Sequence, residues 1–294
     1  MQNIKAYIFL VLCTLFWAGN FIVGKVASLF EIPPFSLNFY RWLIAFIILF
    51  PFTYTKITEN FHEIKKKIIP LSIMGFTSIT IFNSVVYYSL NFTQVLNGVL
   101  MISTIPVLII FFSSCFTNEK IKINQILGVI TSLIGVLIII TKFQLNTLLS
   151  LNLNKGDLWI LVAMISWATY SIMVKEKKIN LDPLALLQTL IFIGLIFLIP
   201  FYLYELHNAQ FLKLNIPVLL TVGYVVIFAG IGAYIFWIGA IKIIGPSRSG
   251  VFLHLMPVFS SLMAIFLLGE RLANFHIFGA LFILIGIIVS TKFK

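Results

Sequence analysis

Charged residues are scarce in this chain. Of its 294 residues, only 10% are charged and 61% are hydrophobic. A soluble domain carries about 25% charged residues because its surface faces water. Apolar runs at 7–28, 68–90 and 272–290 come close to the about 20 residues that cross about 30 Å of hydrocarbon. The composition therefore excludes a soluble protein and predicts an all-α integral membrane protein.

Acidic residues are the rarest charged group, with nine Asp and Glu against 20 Lys and Arg. All nine lie in predicted loops or at predicted helix ends, so no carboxylate is predicted at mid-membrane depth, where proton and sodium sites lie. Glu119, Glu270 and His254 are the candidates for ion coupling, and facilitated diffusion or exchange is the alternative. The basic residues lie mostly in short loops. The net charge of +11 therefore predicts membrane orientation and no nucleic-acid binding.

Motifs for catalysis, metals and nucleotides are absent from the sequence. It has no HExxH, no G-x-S-x-G, no Walker lysine motif and no pair of membrane aspartates. Its two cysteines, Cys13 and Cys115, fall in apolar spans without metal-ligand spacing, which favours packing roles. The sequence therefore predicts no enzyme, no cofactor and no metal site.

Ten apolar segments are long enough to be membrane helices. They cover about 7–28, 33–54, 68–90, 94–115, 123–141, 156–175, 183–204, 216–239, 247–268 and 272–291. Residues of the first half recur in the second at offsets of 150 or 151: Trp17, Lys25, Pro106, Glu119, Gly128 and Gly135 match Trp167, Lys175, Pro257, Glu270, Gly279 and Gly286. We therefore predict two five-helix repeats, at residues 1–146 and 147–294.

Loop charge predicts that the two repeats are inverted. The loop after the second helix carries Lys56 and a run of three lysines at 65–67, whereas its counterpart after the seventh helix has only Lys213. The loop after the sixth helix is basic and its counterpart after the first is not. The positive-inside bias thus reverses between repeats, as in many secondary transporters. Both termini are predicted to be cytoplasmic.

Several motifs resemble those of a transporter family. They are the run 16–21 with Lys25, Tyr40-Arg41-Trp42, Pro106 with Asn118-Glu119-Lys120, and Pro257 with Gly269-Glu270-Arg271. Together they resemble the EamA family of the drug/metabolite transporter superfamily, with Asn118 replacing the usual glycine in the first copy. The resemblance implies a ten-helix carrier for small polar metabolites, often an exporter of amino acids or related compounds.

Eleven residues are candidates for the wall of a substrate cavity: Trp17, Asn20, Lys25, Arg41, Asn83, Tyr87, Trp167, Tyr170, Tyr234, Trp237 and His254. Trp17, Asn20 and Lys25 share one helical stripe, and Trp167 and Tyr170 recur at the equivalent positions. Each stripe fits a cavity wall or helix packing equally well, and for Lys25 we favour a side chain that reaches to the interface. His254 fits a proton site or, as we favour, a hydrogen-bonded interior residue.

Arg41 is the most informative single residue. It lies about eight residues into the second predicted helix, roughly 12 Å below its start. A charge at this depth costs at least about 2.5 kcal/mol unless it is paired or hydrated, so its side chain is expected to face the interior. It could bind a substrate carboxylate or phosphate. The structural alternative, which we place slightly ahead, is binding to helix-end carbonyls or to Glu270.

The sequence thus predicts a secondary carrier in a bacterial inner membrane that exports an amino acid or related compound by alternating access. Uptake of a host metabolite such as S-adenosylmethionine or a sugar phosphate is an alternative, and a non-transporting membrane scaffold is another. The expected partners are a small-molecule substrate, the lipid bilayer and, as a candidate, a second copy of the chain in a homodimer.

Overall fold

The structure is a computed structural model that describes residues 2–29, 32–89, 92–93, 95–117, 119–144, 146–147, 154–208, 211–212, 215–268 and 271–292. The described residues form helices and their connections, without strands. Ten of these helical spans are long and apolar enough to cross a membrane. The predicted all-α membrane fold with ten spans is confirmed.

The ten spans are numbered α1 to α10 in chain order. Six are uninterrupted α-helices: α1 (Gln2–Leu29), α2 (Pro34–Glu59), α5 (Ile123–Thr141), α6 (Lys155–Glu176), α7 (Pro183–His207) and α10 (Asn274–Lys292). The other four have irregular turns: α3 (Ile68–Ser89), α4 (Val95–Ile102 and Ile105–Phe116), α8 (Ile216–Ile244) and α9 (Pro246–Gly250, Val251–His254 and Leu255–Leu268). A short helix at Phe61–Lys66, which was not predicted, connects α2 to α3.

Helix packing repeats between the two halves of the chain. The contact of α1 with α8 is mirrored by that of α6 with α3, and the contact of α1 with α9 is mirrored by that of α6 with α4. The equivalent helices α2 and α7 contact each other, as do α5 and α10. Two five-helix repeats therefore pack around a pseudo-twofold axis, as the sequence predicts. The boundary between residues 146 and 147 stays a prediction.

Both repeats carry a π-helical segment at the same place. It spans Phe76–Phe82 in α3 and Val225–Gly232 in α8. A π-helical turn bonds each N–H to the carbonyl five residues back, so main-chain carbonyls become available to side chains. Neither segment was predicted, because no residue type marks a π-helix in a sequence.

Glycines bring α5 and α10 together. A Cβ on Gly128 would lie 2.5 Å from the carbonyl oxygen of Gly286, and one on Gly135 would lie 2.5 Å from that of Gly279. These are equivalent pairs, since Gly128 matches Gly279 and Gly135 matches Gly286. These small residues pack within one chain.

A buried carboxylate fixes the start of α2. Glu205, near the end of α7, is 2% exposed. It accepts bonds from the N–H groups of Phe35 (2.9 Å) and Ser36 (2.6 Å) and from the hydroxyl of Ser36 (2.8 Å). An anion at a helix N-terminus satisfies donors that have no partner in the helix and interacts favourably with the helix dipole.

We expect Glu205→Gln to lower the free energy of unfolding by about 1–3 kcal/mol, because an amide offers one oxygen where the carboxylate offers two. Thermal unfolding of the purified protein measures the change. Glu59→Gln, at the exposed end of α2, is the matched control and should melt like the parent. Equal melting temperatures for the two variants would contradict the capping role.

Candidate substrate cavity

Three pairs of equivalent residues from the two repeats contact each other. They are Trp17 with Trp167 (ring centroids 5.1 Å apart), Asn83 with Tyr234 (Nδ2 to OH, 3.0 Å) and Ser103 with His254 (carbonyl O to Nε2, 2.7 Å). Each pair combines one residue of the first repeat with its match at an offset of 150 or 151. These contacts therefore mark the interface between the repeats, where inverted-repeat transporters bind their substrates.

A cavity of about 100 Å³ lies at this interface. Seven of the eleven predicted candidates line it: Trp17, Asn20, Arg41, Asn83, Tyr87, Trp167 and Tyr234. The rest of its wall is mostly apolar side chains of α3, α4 and α9. This volume is below the about 300–1,000 Å³ of typical small-molecule pockets, so the structure describes a state in which the cavity is narrow.

Arg41 is the only basic side chain among the described residues that line the cavity, and it is 1% exposed. Its Nη1 donates to Asn83 Oδ1 (3.0 Å) and Tyr87 OH (3.2 Å), and its Nη2 donates to the carbonyl of Ala229 (2.9 Å). Its guanidinium also lies over the ring of Trp42, 4.8 Å from the centroid. These contacts fix the position of the positive charge.

The two π-helices supply the carbonyls that hold this network. The Ala229 carbonyl accepts from both Arg41 and the Trp17 indole (3.1 Å). The equivalent carbonyl in the first repeat, that of Ser78, accepts from Tyr234 OH (3.0 Å). Asn83 connects the two, because its amide oxygen accepts from Arg41 and its nitrogen donates to Tyr234. The irregular turns therefore position the polar groups of the cavity.

The charge of Arg41 has no protein counterion in the part of the chain that the structure describes, where the single ion pair joins Lys56 to Asp182 (3.3 Å). Its Nε has no hydrogen-bond partner there either. A guanidinium has five donor hydrogens, and the protein contacts use three of them. Two donors and a full positive charge thus have no protein partner among the described residues. Arg41 also binds the carbonyl of Ala229, which lies inside α8 and not at a helix end as the structural interpretation predicted, while Glu270 lies outside the described residues.

The profile of the EamA-like transporter family matches the chain twice, at residues 4–141 and 154–292. The chain belongs to the EamA-like transporter family. Its ten apolar helices and its family make it a multi-pass membrane transporter and not an enzyme.

The curated relatives of this transporter span its whole length. The uncharacterized transporter YyaM of Bacillus subtilis (strain 168) is 24% identical over 99% of this chain and 95% of its own. An uncharacterized transporter of Archaeoglobus fulgidus is 26% identical over 99% of this chain and 98% of its own. A probable amino-acid metabolite efflux pump of Salmonella typhimurium is 25% identical over 95% of this chain and 92% of its own. A solved crystal structure with 16% identity superposes with a TM-score of 0.78 over 98% of this chain and 96% of that one, which shows that the fold is shared.

Two predicted cavity residues of the transporter, Tyr170 and Trp237, do not line the cavity. Tyr170 is fully buried against Trp167, with ring centroids 5.2 Å apart. Its hydroxyl has no hydrogen-bond partner among the described residues. Trp237 is also fully buried, and its Nε1 donates to Ser171 Oγ (3.3 Å). Both residues pack against Trp167 and lie outside the cavity wall. The side chain of a third candidate, Lys25, lies outside the described residues.

His254 of the transporter lies behind the cavity wall, fully buried. Its Nε2 carries a hydrogen, since it bonds to the Ser103 carbonyl, which can only accept. Its Nδ1 lies 2.6 Å from Ser132 Oγ, whose single hydrogen can go to this nitrogen or to the Val129 carbonyl 3.0 Å away. Both ring nitrogens of His254 thus have hydrogen-bond partners, which supports the interpretation as an interior structural residue.

Glu119, the other described candidate for ion coupling, lies in the loop between α4 and α5. It accepts a hydrogen bond from the Ser247 hydroxyl (2.8 Å) at the start of α9. Burial raises the pKa of this carboxyl, while the bond from Ser247 and the charge of Arg248 act in the opposite direction. The residue joins a loop of the first repeat to the second repeat, outside the cavity.

Proposed function

We propose that this chain is a secondary carrier that moves a small metabolite with a carboxylate group, an amino acid or a related compound, by alternating access. The observation that supports it most is Arg41, a buried cation at the cavity that lacks a protein counterion among the described residues and has two unused donors. Uncompensated buried charge is costly. A carboxylate that accepts two parallel N–H bonds would offset this cost.

The cavity wall also suits the rest of an amino acid. The rings of Trp17, Trp167 and Tyr234 pack edge to face around one side of it. Aromatic faces attract ammonium groups and cover apolar side chains. The relative from Salmonella typhimurium that is named a probable amino-acid metabolite efflux pump agrees with this substrate class and with export.

The second candidate is uptake of a host metabolite. A guanidinium binds phosphate by the same geometry as carboxylate, so Arg41 also suits a phosphate compound. A sugar phosphate would use that bond, and S-adenosylmethionine would place its carboxylate on Arg41 and its sulfonium against the aromatic rings. Both candidates place the anionic group at the same side chain. The substrate panel below separates them.

For orientation, we propose a bacterial inner membrane with both termini in the cytoplasm. The basis is the loop charge, which predicts cytoplasmic positions for the basic loops after α2 and α6. The cavity lies towards the ends of α1 and α3 and the start of α4, on the side opposite to the termini. In this orientation, the structure is an outward-facing state with a narrow cavity.

Counterflow into proteoliposomes tests the function. Vesicles are loaded with one unlabelled compound at a time, from amino acids, S-adenosylmethionine, nucleotide sugars and sugar phosphates, and uptake of the labelled compound is measured. We expect saturable uptake of an amino acid or a related carboxylate, and a loss of at least tenfold in Trp167→Ala. Uptake restricted to S-adenosylmethionine or to phosphate compounds would favour the second candidate. No uptake by folded, inserted protein would refute the carrier function and favour the scaffold.

A further inference from the structure

Two equivalent polar residues, Asn20 on α1 and Tyr170 on α6, both have a side-chain oxygen without a partner. The Oδ1 atom of Asn20 and the hydroxyl of Tyr170 are buried and have no hydrogen bond within the described chain. The residues are 150 positions apart, the same offset as Trp17 and Trp167. Asn20 lines the cavity, whereas Tyr170 is fully buried in the other half of the molecule.

The half of the molecule around Tyr170 is closed by packing and by lysines. Trp237 packs against Trp17 and Trp167, with centroids 5.5 and 5.8 Å apart. Further along, Lys175 Nζ donates to the carbonyl of Lys242 (2.8 Å), and Lys242 Nζ donates to the carbonyls that follow α6. These bonds join the ends of α6 and α8. In the other half of the molecule, by contrast, Asn20 of α1 and Val86 and Tyr87 of α3 line the cavity.

In an inverted-repeat carrier the two repeats can exchange conformations, so that the cavity closes on one side and opens on the other. For each residue that lines the present cavity, the residue at the equivalent position of the other repeat then lines the cavity that opens on the opposite side. By the offsets of 150 and 151, Asn20, Val86 and Tyr87 correspond to Tyr170, Trp237 and Ile238. The fully buried state of these three matches is what a closed half requires.

We propose that the Tyr170 hydroxyl binds the substrate in the opposite-facing cavity, in the role that Asn20 has in the present one. This inference rests on the proposed carrier function. Both oxygens accept hydrogen bonds, so both suit an N–H donor such as the ammonium group of an amino acid. The donor group passes from Asn20 to Tyr170 when the repeats exchange conformations. Phenylalanine would fill the present packing without a buried, unpaired hydroxyl, which is unfavourable.

The first test is Tyr170→Phe, measured by exchange in right-side-out and inside-out membrane vesicles. We expect the half-saturation concentration to rise about tenfold at the face that carries the termini, relative to the other face. Asn20→Ala should shift the ratio of the half-saturation concentrations at the two faces in the opposite direction. A purely structural Tyr170 would leave the ratio of the two half-saturation concentrations unchanged, and that result would overturn the proposal.

The second test is access to cysteines from the face that carries the termini. Cys13 and Cys115 are replaced with alanine and serine, and Ile238→Cys is labelled with a membrane-impermeant maleimide. Ala240→Cys is the control, because Ala240 is equally buried and its match, Ser89, does not line the cavity. We expect labelling of Ile238→Cys at least tenfold faster than of Ala240→Cys. Equal labelling in a protein that transports would refute this inference alone, whereas failure of the wild type to transport any compound would refute the carrier function.

Discussion

Arg41→Gln is expected to weaken transport of the carboxylate substrate strongly and leave the chain folded. Removing one partner of a buried, hydrogen-bonded charge pair costs about 2–5 kcal/mol, and about 1.4 kcal/mol corresponds to a factor of ten in affinity. We therefore expect the half-saturation concentration to rise at least about 30-fold. Arg41→Lys keeps the charge but not the forked donors, so its half-saturation concentration should lie between those of the wild type and Arg41→Gln.

The control for this prediction is Arg248→Gln, which removes a second arginine that lies outside the cavity at the start of α9. It should transport with the half-saturation concentration of the wild type. Thermal unfolding and size-exclusion profiles show whether Arg41→Gln remains folded, which is expected because Arg41 has no counterion among the described residues that the substitution would leave unpaired. A folded Arg41→Gln protein with wild-type transport would show that the guanidinium has only a structural role.

Gly135→Ala is expected to destabilise the contact between α5 and α10. A Cβ at this position would lie 2.5 Å from the carbonyl oxygen of Gly279 and 2.8 Å from atoms of Ile283. Backbone atoms cannot give way as a flexible side chain does, so α5 and α10 must separate along their contact. Overpacking of this kind costs about 1–3 kcal/mol.

Thermal unfolding in detergent measures this change, with Gly223→Ala as the control, because nothing lies within 4 Å of a Cβ at Gly223. The two variants make the same chemical change in membrane helices. We expect a lower melting temperature for Gly135→Ala alone. Equal melting temperatures would mean that the close approach of α5 and α10 does not contribute to stability.

Much of the architecture could be predicted from the sequence because membrane burial and duplication leave strong patterns. A stretch of about 20 apolar residues has few alternatives to a helix in lipid, so the number of spans could be predicted. The recurrence of Trp17 as Trp167 and of Gly128 as Gly279 predicted the repeats. The same offsets explain why both tryptophans lie at the interface between the repeats.

The cavity was predicted in part, and the limits have physical reasons. Helical spacing predicts which side chains share a stripe, so Asn20 and Trp17 were found together. It does not predict which half of an inverted pair is open, so Tyr170 and Trp237 were grouped with them. The carbonyls of Ala229 and Ser78 were missed because backbone groups of π-helices have no residue signature.

The cap that Glu205 forms on α2 was also missed, because its partners Phe35 and Ser36 lie about 170 positions away in the sequence. Sequence patterns are informative over a few helical turns. Contacts across the bundle depend on how whole helices pack, and a single sequence contains no direct record of that packing.

Protection of a cavity cysteine by substrate tests most directly whether this cavity is the binding site. Val86→Cys, in the cavity wall of α3, is labelled with a maleimide in the cysteine-free background at increasing substrate concentrations. Phe92→Cys, exposed in the loop that follows α3 and outside the cavity wall, is the control. We predict that substrate slows labelling of Val86→Cys alone, with a midpoint equal to the half-saturation concentration of counterflow. Unchanged labelling of Val86→Cys by a substrate that the protein transports would show that the substrate binds elsewhere.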